Sequence, residues 1–466
     1  ARELSGTVSW PVSEEWVISG GGRWEDAVGD FVYDVPDFRG GGEAARINAH
    51  HDRLGGDLRV DRDGRLDASL RLHATSLERG SPGSIAQPSR TGAQSHDRYG
   101  ATMDAGLGDA GRGGLVQLGM QWQNATYADS APPFGSAYAV DTDVREDRAA
   151  VEGWADWGNT RLRAGAVASR MDVRSSSLET TDLTIDETGG WSRIESSMVP
   201  GGATTLQLAA GIRLDRHDLV DGTTTSPTAD VAVVHGGTTL RFGWANGFAP
   251  PTLGDLFFQE GGLVEPTPDL RPERVRNELS ASVTQSYGVG PVRGDARIAV
   301  YDADVDDMII WFPDFRFVWS PVNYDVARAG VEVGASARFS MLGGSHAIDG
   351  DIAWSRVEYR GGSLEGQVAY RPDFTATASL SLDVLATTLS PAWRHVGERR
   401  SAPGSELNVL PSYDLIDIGL TAPFGMLSSR VRLDVAVTNL LDERAALLAD
   451  YPLPGRGWSV RLRVSP

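Results

Sequence analysis

From Leu66 to Val464 this chain returns again and again to one pattern, apolar and polar residues taking turns. Leu206, Leu208, Ala210, Ile212 and Leu214 alternate with Gln207, Ala209, Gly211 and Arg213. Val431, Leu433, Val435 and Val437 alternate with Arg432 and Asp434, and Trp458, Val460, Leu462 and Val464 with Ser459, Arg461 and Arg463. Segments starting at Leu66, Val116, Ala296 and Leu380 do the same. A period of two is the mark of a β-strand whose two faces differ in character. No stretch of helix-forming residues competes with it, and no run of 18 or more apolar residues offers a membrane-crossing helix.

Alternation does not say which face looks at water. A soluble sandwich turns its apolar face into a core, whereas a transmembrane barrel turns that face to lipid and lines a wet lumen with the polar one. Number decides between them. The strand patterns fill 466 residues, broken by Gly, Asp, Asn and Ser turns, with 55 glycines and a hydrophobic share of only 41%. That exceeds one sandwich, and no helical layer is available to cover a large open sheet. The expected fold is all-β, one large antiparallel transmembrane β-barrel over 1–466. At about 22 strands each strand and its turn has roughly 21 residues, against the 9 to 11 a membrane strand needs. Eighteen strands with longer loops satisfy the same arithmetic.

The formal net charge is −20, and the 43 basic residues are all arginine. An acidic chain lacks the surplus cations that neutralise a phosphate backbone, so nucleic acid is not an expected partner. With no cysteine there is no disulfide scaffold, thiol catalysis or cysteine zinc site. The opening "ARELSGTVSW" lacks the basic start and apolar core of a signal peptide and reads as a processed end.

Three stretches carry a resemblance. In the middle stand Phe248, Ala249, Pro250, Pro251, Thr252, Leu253, Asp255 and Leu256, then Pro268, Asp269, Leu270, Pro272, Glu273 and Glu278. Downstream is "NYDVARAGVE", with Asn323, Gly330 and Glu332, and at the end Asn439, Leu440 and Asp442 precede Pro454, Gly455 and Arg456. In this order they resemble the TonB-dependent outer-membrane receptors, with Thr267 where that family usually has Asn. The stretch around Pro82 and Gly83 is similar to an early barrel loop. The resemblance implies a bacterial outer-membrane barrel for uptake of a scarce nutrient, such as a siderophore or other metal chelate, a cobalamin-like molecule or an oligosaccharide. It implies outer-membrane lipids as surroundings and, as partners, a plug and the TonB complex. No plug or TonB-binding box is recognisable within 1–466, so a separate plug chain is one expectation. A plugless barrel anchoring outer-membrane or periplasmic partner proteins, or a passive porin, is another.

Local residues give the motifs physical roles. Pro250 and Pro251 lack amide donors and end a paired strand after Phe248. Asn439 and Asp442 suit a tight turn through bonds to nearby backbone. Trp311, Phe312, Phe315, Phe317 and Trp319 surround a Pro313-Asp314 turn and read either as an aromatic ligand loop or, preferred, as a girdle at the lipid-water interface. Asp302, Asp304, Asp306 and Asp307 could together offer calcium four carboxylates, but their spacing is not that of a calcium loop, and Asp302, Asp304 and Asp306 read as the lumen side of a strand whose other face is Tyr301, Ala303 and Val305. Gly106, Gly108 and Gly111 precede a strand and read as a hairpin turn, not a dinucleotide loop. His50 and His51 are adjacent and point to opposite faces. No G-x-S-x-G elbow or H-E-x-x-H pair is present, and no catalytic, cofactor or metal site is expected. Arg213, Arg241, Arg432 and Asp434 are expected on the lumen side, guiding passage.

Overall fold

The computed structural model describes residues 1–133, 135–257, 264–314, 318–341, 343–361, 364, 366–403, 408–424 and 430–464. Among them one sheet holds 21 strands. The first seven are β1 Arg2–Pro11, β2 Trp16–Ala27, β3 His51–Arg62, β4 Leu66–Gly80, β5 Gly92–Gly108, β6 Arg112–Asp129 and β7 Tyr138–Trp157. The next seven are β8 Thr160–Ser175, β9 Asp182–Gly201, β10 Thr204–His217, β11 Thr224–His235, β12 Thr238–Ala249, β13 Glu273–Val289 and β14 Val292–Pro313. The last seven are β15 Trp319–Met341, β16 Gly344–Tyr359, β17 Phe374–Val384, β18 Thr387–Val396, β19 Tyr413–Pro423, β20 Val431–Thr438 and β21 Gly457–Val464.

Each strand pairs antiparallel with its sequence neighbours, so the sheet is an uninterrupted meander. The connections differ at the two ends. Gly158-Asn159, Gly202-Ala203, Gly236-Gly237 and Gly290-Pro291 close tight turns, and the leading glycine of each has a positive φ that side chains disfavour. Gly108, at φ +128°, opens the turn before β6, so the glycines at 106, 108 and 111 do belong to a hairpin. At the opposite end the chain makes long excursions: 28–50, 250–272, 397–412 and 439–456. Short turns on one side and long loops on the other are the asymmetry of outer-membrane barrels, whose long loops are extracellular.

The strand register exposes the two faces. Leu208, Val231, Phe242, Ala281, Val300, Val331 and Trp354 lie side by side across seven strands. Of these, Phe242 is 55% exposed and Trp354 48%. A row of large apolar side chains open to the surroundings is a bilayer face, because in water each would forfeit about 1.5–3 kcal/mol of burial. One residue along, Arg241, Ser282, Ala299, Glu332, Ala353 and Thr375 form the row on the inner face. Arg213, Arg432 and Asp434 share that face.

The aspartates depart from expectation. Asp302 pairs with Leu279 and Ala329 and continues the face of Ile298 and Val300, so Asp302, Asp304 and Asp306 point outward. Tyr301, Ala303 and Val305 face inward, with Ala303 and Val305 buried. The alternation was right and its phase reversed. The outward aspartates stand above the apolar band, where Asp304 meets Arg360, Asp306 meets Arg276 and Asp307 meets Arg271.

Within residues 1–466 the first and last strands of the meander stand side by side. β1 and β21 both start at the long-loop end and run the same way. No backbone pairing joins them among the described residues, although Arg461 Nη2 reaches Glu3 Oε2 at 2.7 Å and brings them side by side. Their apolar residues are among the barest of the outer face, with Leu4 71%, Trp10 70% and Trp458 79% exposed.

Candidate functional site

The middle motif builds a braced loop. Without amides at Pro250 and Pro251, pairing with β13 stops at Ala249, whose partner is Glu273. The chain then turns into a short helix, α1 Leu253–Phe257. Thr252 and Asp255 cap it reciprocally: Thr252 N and Oγ1 donate to Asp255 Oδ2 at 3.0 and 2.7 Å, and Asp255 N donates to Thr252 Oγ1 at 3.2 Å. The remaining oxygen of this buried carboxylate accepts Trp311 Nε1 at 2.9 Å. Asp255 thus ties α1 to the extended tip of β14.

A second clasp lies beside it. Asn323 Oδ1 accepts Arg271 N at 2.9 Å, while Asn323 Nδ2 donates to the carbonyls of Arg271 and Asp307 at 3.0 and 2.7 Å. Glu273 Oε1 accepts Ile309 N at 2.8 Å. Leu256 and Leu270 are buried beneath, and Pro268 and Pro272 line the adjoining cleft with Arg271 and Arg274. The fold therefore brings Leu256, Pro268, Leu270, Pro272, Glu273 and Asn323 to one place on the long-loop rim, while Phe248 stays in the sheet opposite Arg274.

Gly330 and Glu332 lie elsewhere, on the lumen wall. A Cβ on Gly330 would sit 2.5 Å from the ring of Tyr301, its cross-strand partner, so only glycine leaves room for that ring. Arg328 covers the ring at 5.8 Å from its centroid, a cation–π contact. Glu332 lines a lumenal hollow with Asp295, Arg297, Asp349 and Asp351.

The carboxy-terminal motif forms a third knot. Asn439 is buried with a positive φ of 49° and receives Glu443 N on Oδ1 at 2.8 Å. Its Nδ2 donates to the carbonyls of Glu443 and Pro454 at 2.9 and 3.3 Å. Asp442 Oδ1 accepts Arg456 N at 2.7 Å, and Arg456 Nη1 reaches the Leu440 carbonyl at 3.3 Å. The amide of Arg456 holds the Asp442 carboxyl below the usual carboxylate range. A Cβ on Gly455 would lie 2.4 Å from Asp442 Oδ1, so the glycine gives the carboxylate its place.

Trp311 and Phe312 are not part of a lipid girdle. Along β14 the aspartates separate Trp311 and Phe312 from the apolar band at Val300, by about 35 Å of extended chain. Phe312 instead packs at the rim against the cluster of Val305, Ile310, Val326, Tyr359, Leu364 and Val368. Trp319 is 38% exposed, and its carbonyl accepts Glu265 N at 2.9 Å. Phe315 and Phe317 lie outside the described residues. The regular spacing suggested a membrane face, but strand length carries Trp311 and Phe312 beyond the apolar band.

One rim lock has no local signal. Ser89 and Thr91 hydroxyls each donate at 2.6 Å to Asp129, buried at the end of β6, and pull its carboxyl below the usual range. The partners lie 40 and 38 residues away, joined only by the β5–β6 register. On the lumen wall arginines meet carboxylates: Arg193 with Glu195 on its own strand and Asp230 on β11, both at 2.8 Å, and Arg213 with Asp215 two residues along its strand at 2.6 Å. Among the described residues no three His, Cys, Asp or Glu side chains are grouped to hold a metal ion.

A profile described as "TonB dependent receptor-like, beta-barrel" matches residues 29–440. The vitamin B12 transporter BtuB of Vibrio vulnificus (strain CMCP6) is 24% identical over 261 residues, which are 55% of this chain and 39% of that protein. The chain thus spans well under half the length of that relative. Among solved structures, the copper transporter OprC superposes with a TM-score of 0.76 at 16% identity, over 100% of this chain and 80% of that one. The FrpB iron transporter from Neisseria meningitidis gives 0.74 at 12%, over 99% and 78%. Those two likenesses are of fold; the profile match, with three braced motifs and an outward apolar band, places this outer-membrane β-barrel in the TonB-dependent receptor family.

Proposed function

We propose that the chain is the barrel of an outer-membrane receptor that takes up a scarce nutrient: a siderophore or other metal chelate, a cobalamin-like molecule or an oligosaccharide. The carrying observation is the contrast between a fastened mouth and a polar interior. Loops 250–272 and 439–456 are clasped to the rim by buried side chains, as a mouth that must present fixed contacts requires. Below them the wall is lined by arginines and carboxylates suited to guide a polar solute, including Arg213, Arg241, Arg432 and Asp434. This is transport without bond chemistry, and the reading is of a non-enzyme. Energised uptake further calls for a plug, as part of a longer polypeptide or as a separate chain, and for the TonB complex.

The test is uptake by a strain deleted for the gene, with labelled ferric chelates, cobalamin and oligosaccharides offered in turn. The expected result is loss of uptake of one class, restored by the intact gene only when TonB is present. Unchanged uptake of every class would reject the reading. In that case ion conduction by the purified barrel would indicate a passive porin, and stoichiometric co-purification with envelope proteins an anchor.

A further inference from the structure

The lumenal arginines fall into two groups. On β7–β10 they are neutralised: Arg161 with Asp156 at 2.6 Å, Arg163 with Glu152 at 2.7 Å, and Arg193 and Arg213 with the carboxylates named above. On β3–β5 Arg59 pairs with Asp61 at 2.7 Å, but the other inward arginines, Arg53, Arg71, Arg79 and Arg98, have no carboxylate within ion-pair distance among the described residues. Arg79 Nε donates to the neutral carboxamide of Gln94 at 2.7 Å and Arg98 to that of Gln121, so both keep their full charge. Arg53 and Arg71 have no hydrogen bond or ion pair among the described residues.

Arg53 and Arg79 line one cleft of 430 Å³ with Glu25, His51, Ser81 and Gln94, just inside the long-loop rim. Glu25 stands opposite Arg53 in the register, but its carboxylate contacts Arg23 at 2.9 Å and His51 at 3.2 Å rather than either arginine, leaving the cleft with two arginines to one carboxylate. Arg79 is paired across the strands with His51, and Arg53 with Leu77, which sets the two arginines on a diagonal of the same face. Like charges at that spacing repel each other, and an anion between them turns the repulsion into two charge-assisted hydrogen bonds. In a chain of net charge −20 such a pair stands out. Arg98 and then Arg71 follow further down the wall, where Asp57 and the Arg59–Asp61 pair share the inner face.

We propose that this cleft is an entry subsite for an oxyanion group, carboxylate or phosphate, on the solute the barrel admits. The planar guanidinium of arginine matches either group with two parallel bonds. The proposal rests on the receptor reading for its biological meaning and on the cleft alone for its binding.

The test is calorimetric titration of the full chain in detergent with inorganic pyrophosphate and with tricarballylate, and maltotriose as an uncharged control. Both anions are expected to bind, more weakly as salt rises. The tighter of the two shows which oxyanion the cleft prefers. Arg53→Gln should weaken binding about tenfold and Arg53→Gln with Arg79→Gln further. Arg53→Lys should recover part of the loss, and Arg163→Gln, on the neutralised wall, should change little. Heat-modifiable gel migration confirms that each variant is folded. Wild-type affinity in the folded double variant, or maltotriose binding as tightly as the anions, would overturn the proposal. If deletion of the gene leaves all uptake intact while the arginine dependence holds, the receptor reading falls and the subsite stands.

Discussion

At the scale of single residues, a few buried polar side chains hold the mouth of this barrel, and each serves several partners at once. Asn439 is the most heavily engaged, bridging Glu443 and Pro454 from a backbone conformation that asparagine tolerates better than most residues. Replacing it with alanine leaves buried backbone groups without partners, at about 1–3 kcal/mol. Asn439→Ala should therefore release the 439–456 loop, seen as faster hydrogen exchange there with little change in β10–β12. Protection as in the wild type would show that the Asn439 bonds do not hold the loop. The carboxylates give a pH dependence. Asp442 and Asp129 titrate below their unfolded range in the folded protein, so their contribution is complete above about pH 4 and is lost as pH falls through the folded values. Proteolytic nicking of loops 81–91 and 439–456 should be constant from about pH 8 to 5 and rise below about 4. A rise beginning near pH 6.5 would point to histidine instead.

Among the elements, the tight turns are where local chemistry and fold agree best, with one exception. Most two-residue turns open with glycine, but the β17–β18 turn is Leu385-Ala386, both at positive φ (51° and 67°), with Leu385 92% exposed. This conformation costs a non-glycine residue about 1–2 kcal/mol and suits Asn-Gly. Leu385→Asn with Ala386→Gly is expected to stabilise the barrel by roughly that amount, read as a higher unfolding temperature in detergent. An unchanged or lower temperature would mean that the strands, not the turn, set this hairpin. The motifs at 248–273 and 439–456 were legible as turns and breakers because proline, asparagine and glycine act locally. The face of Asp302, Asp304 and Asp306 was not. A period of two has two equivalent phases, and register with Leu279 and Ala329 chose between them.

For the whole molecule, the seam is the place to look. Edge strands in a bilayer leave amides and carbonyls with nothing to bond, a cost of several kcal/mol per group. In chain 1–466, β1 and β21, linked by Arg461 and Glu3 with no backbone ladder among the described residues, should exchange their amide hydrogens faster than any interior strand. Exchange as slow as in β6–β7, whose ladder is continuous, would mean that chain 1–466 closes through direct pairing of β1 with β21.

What the sequence settled by itself was the extended backbone, the two-faced strands, the places where strands stop, and the family resemblance. These depend on residues within a few positions of one another, where side-chain alternation and backbone freedom act directly. Tertiary structure alone decided which face of β14 points outward at Asp302–Asp306, how far Trp311 stands above the apolar band, that Ser89 and Thr91 close on Asp129, and which lumenal arginines have carboxylate partners. Each of those depends on the register between strands, and register follows from the packing of a whole sheet rather than from any one segment of it.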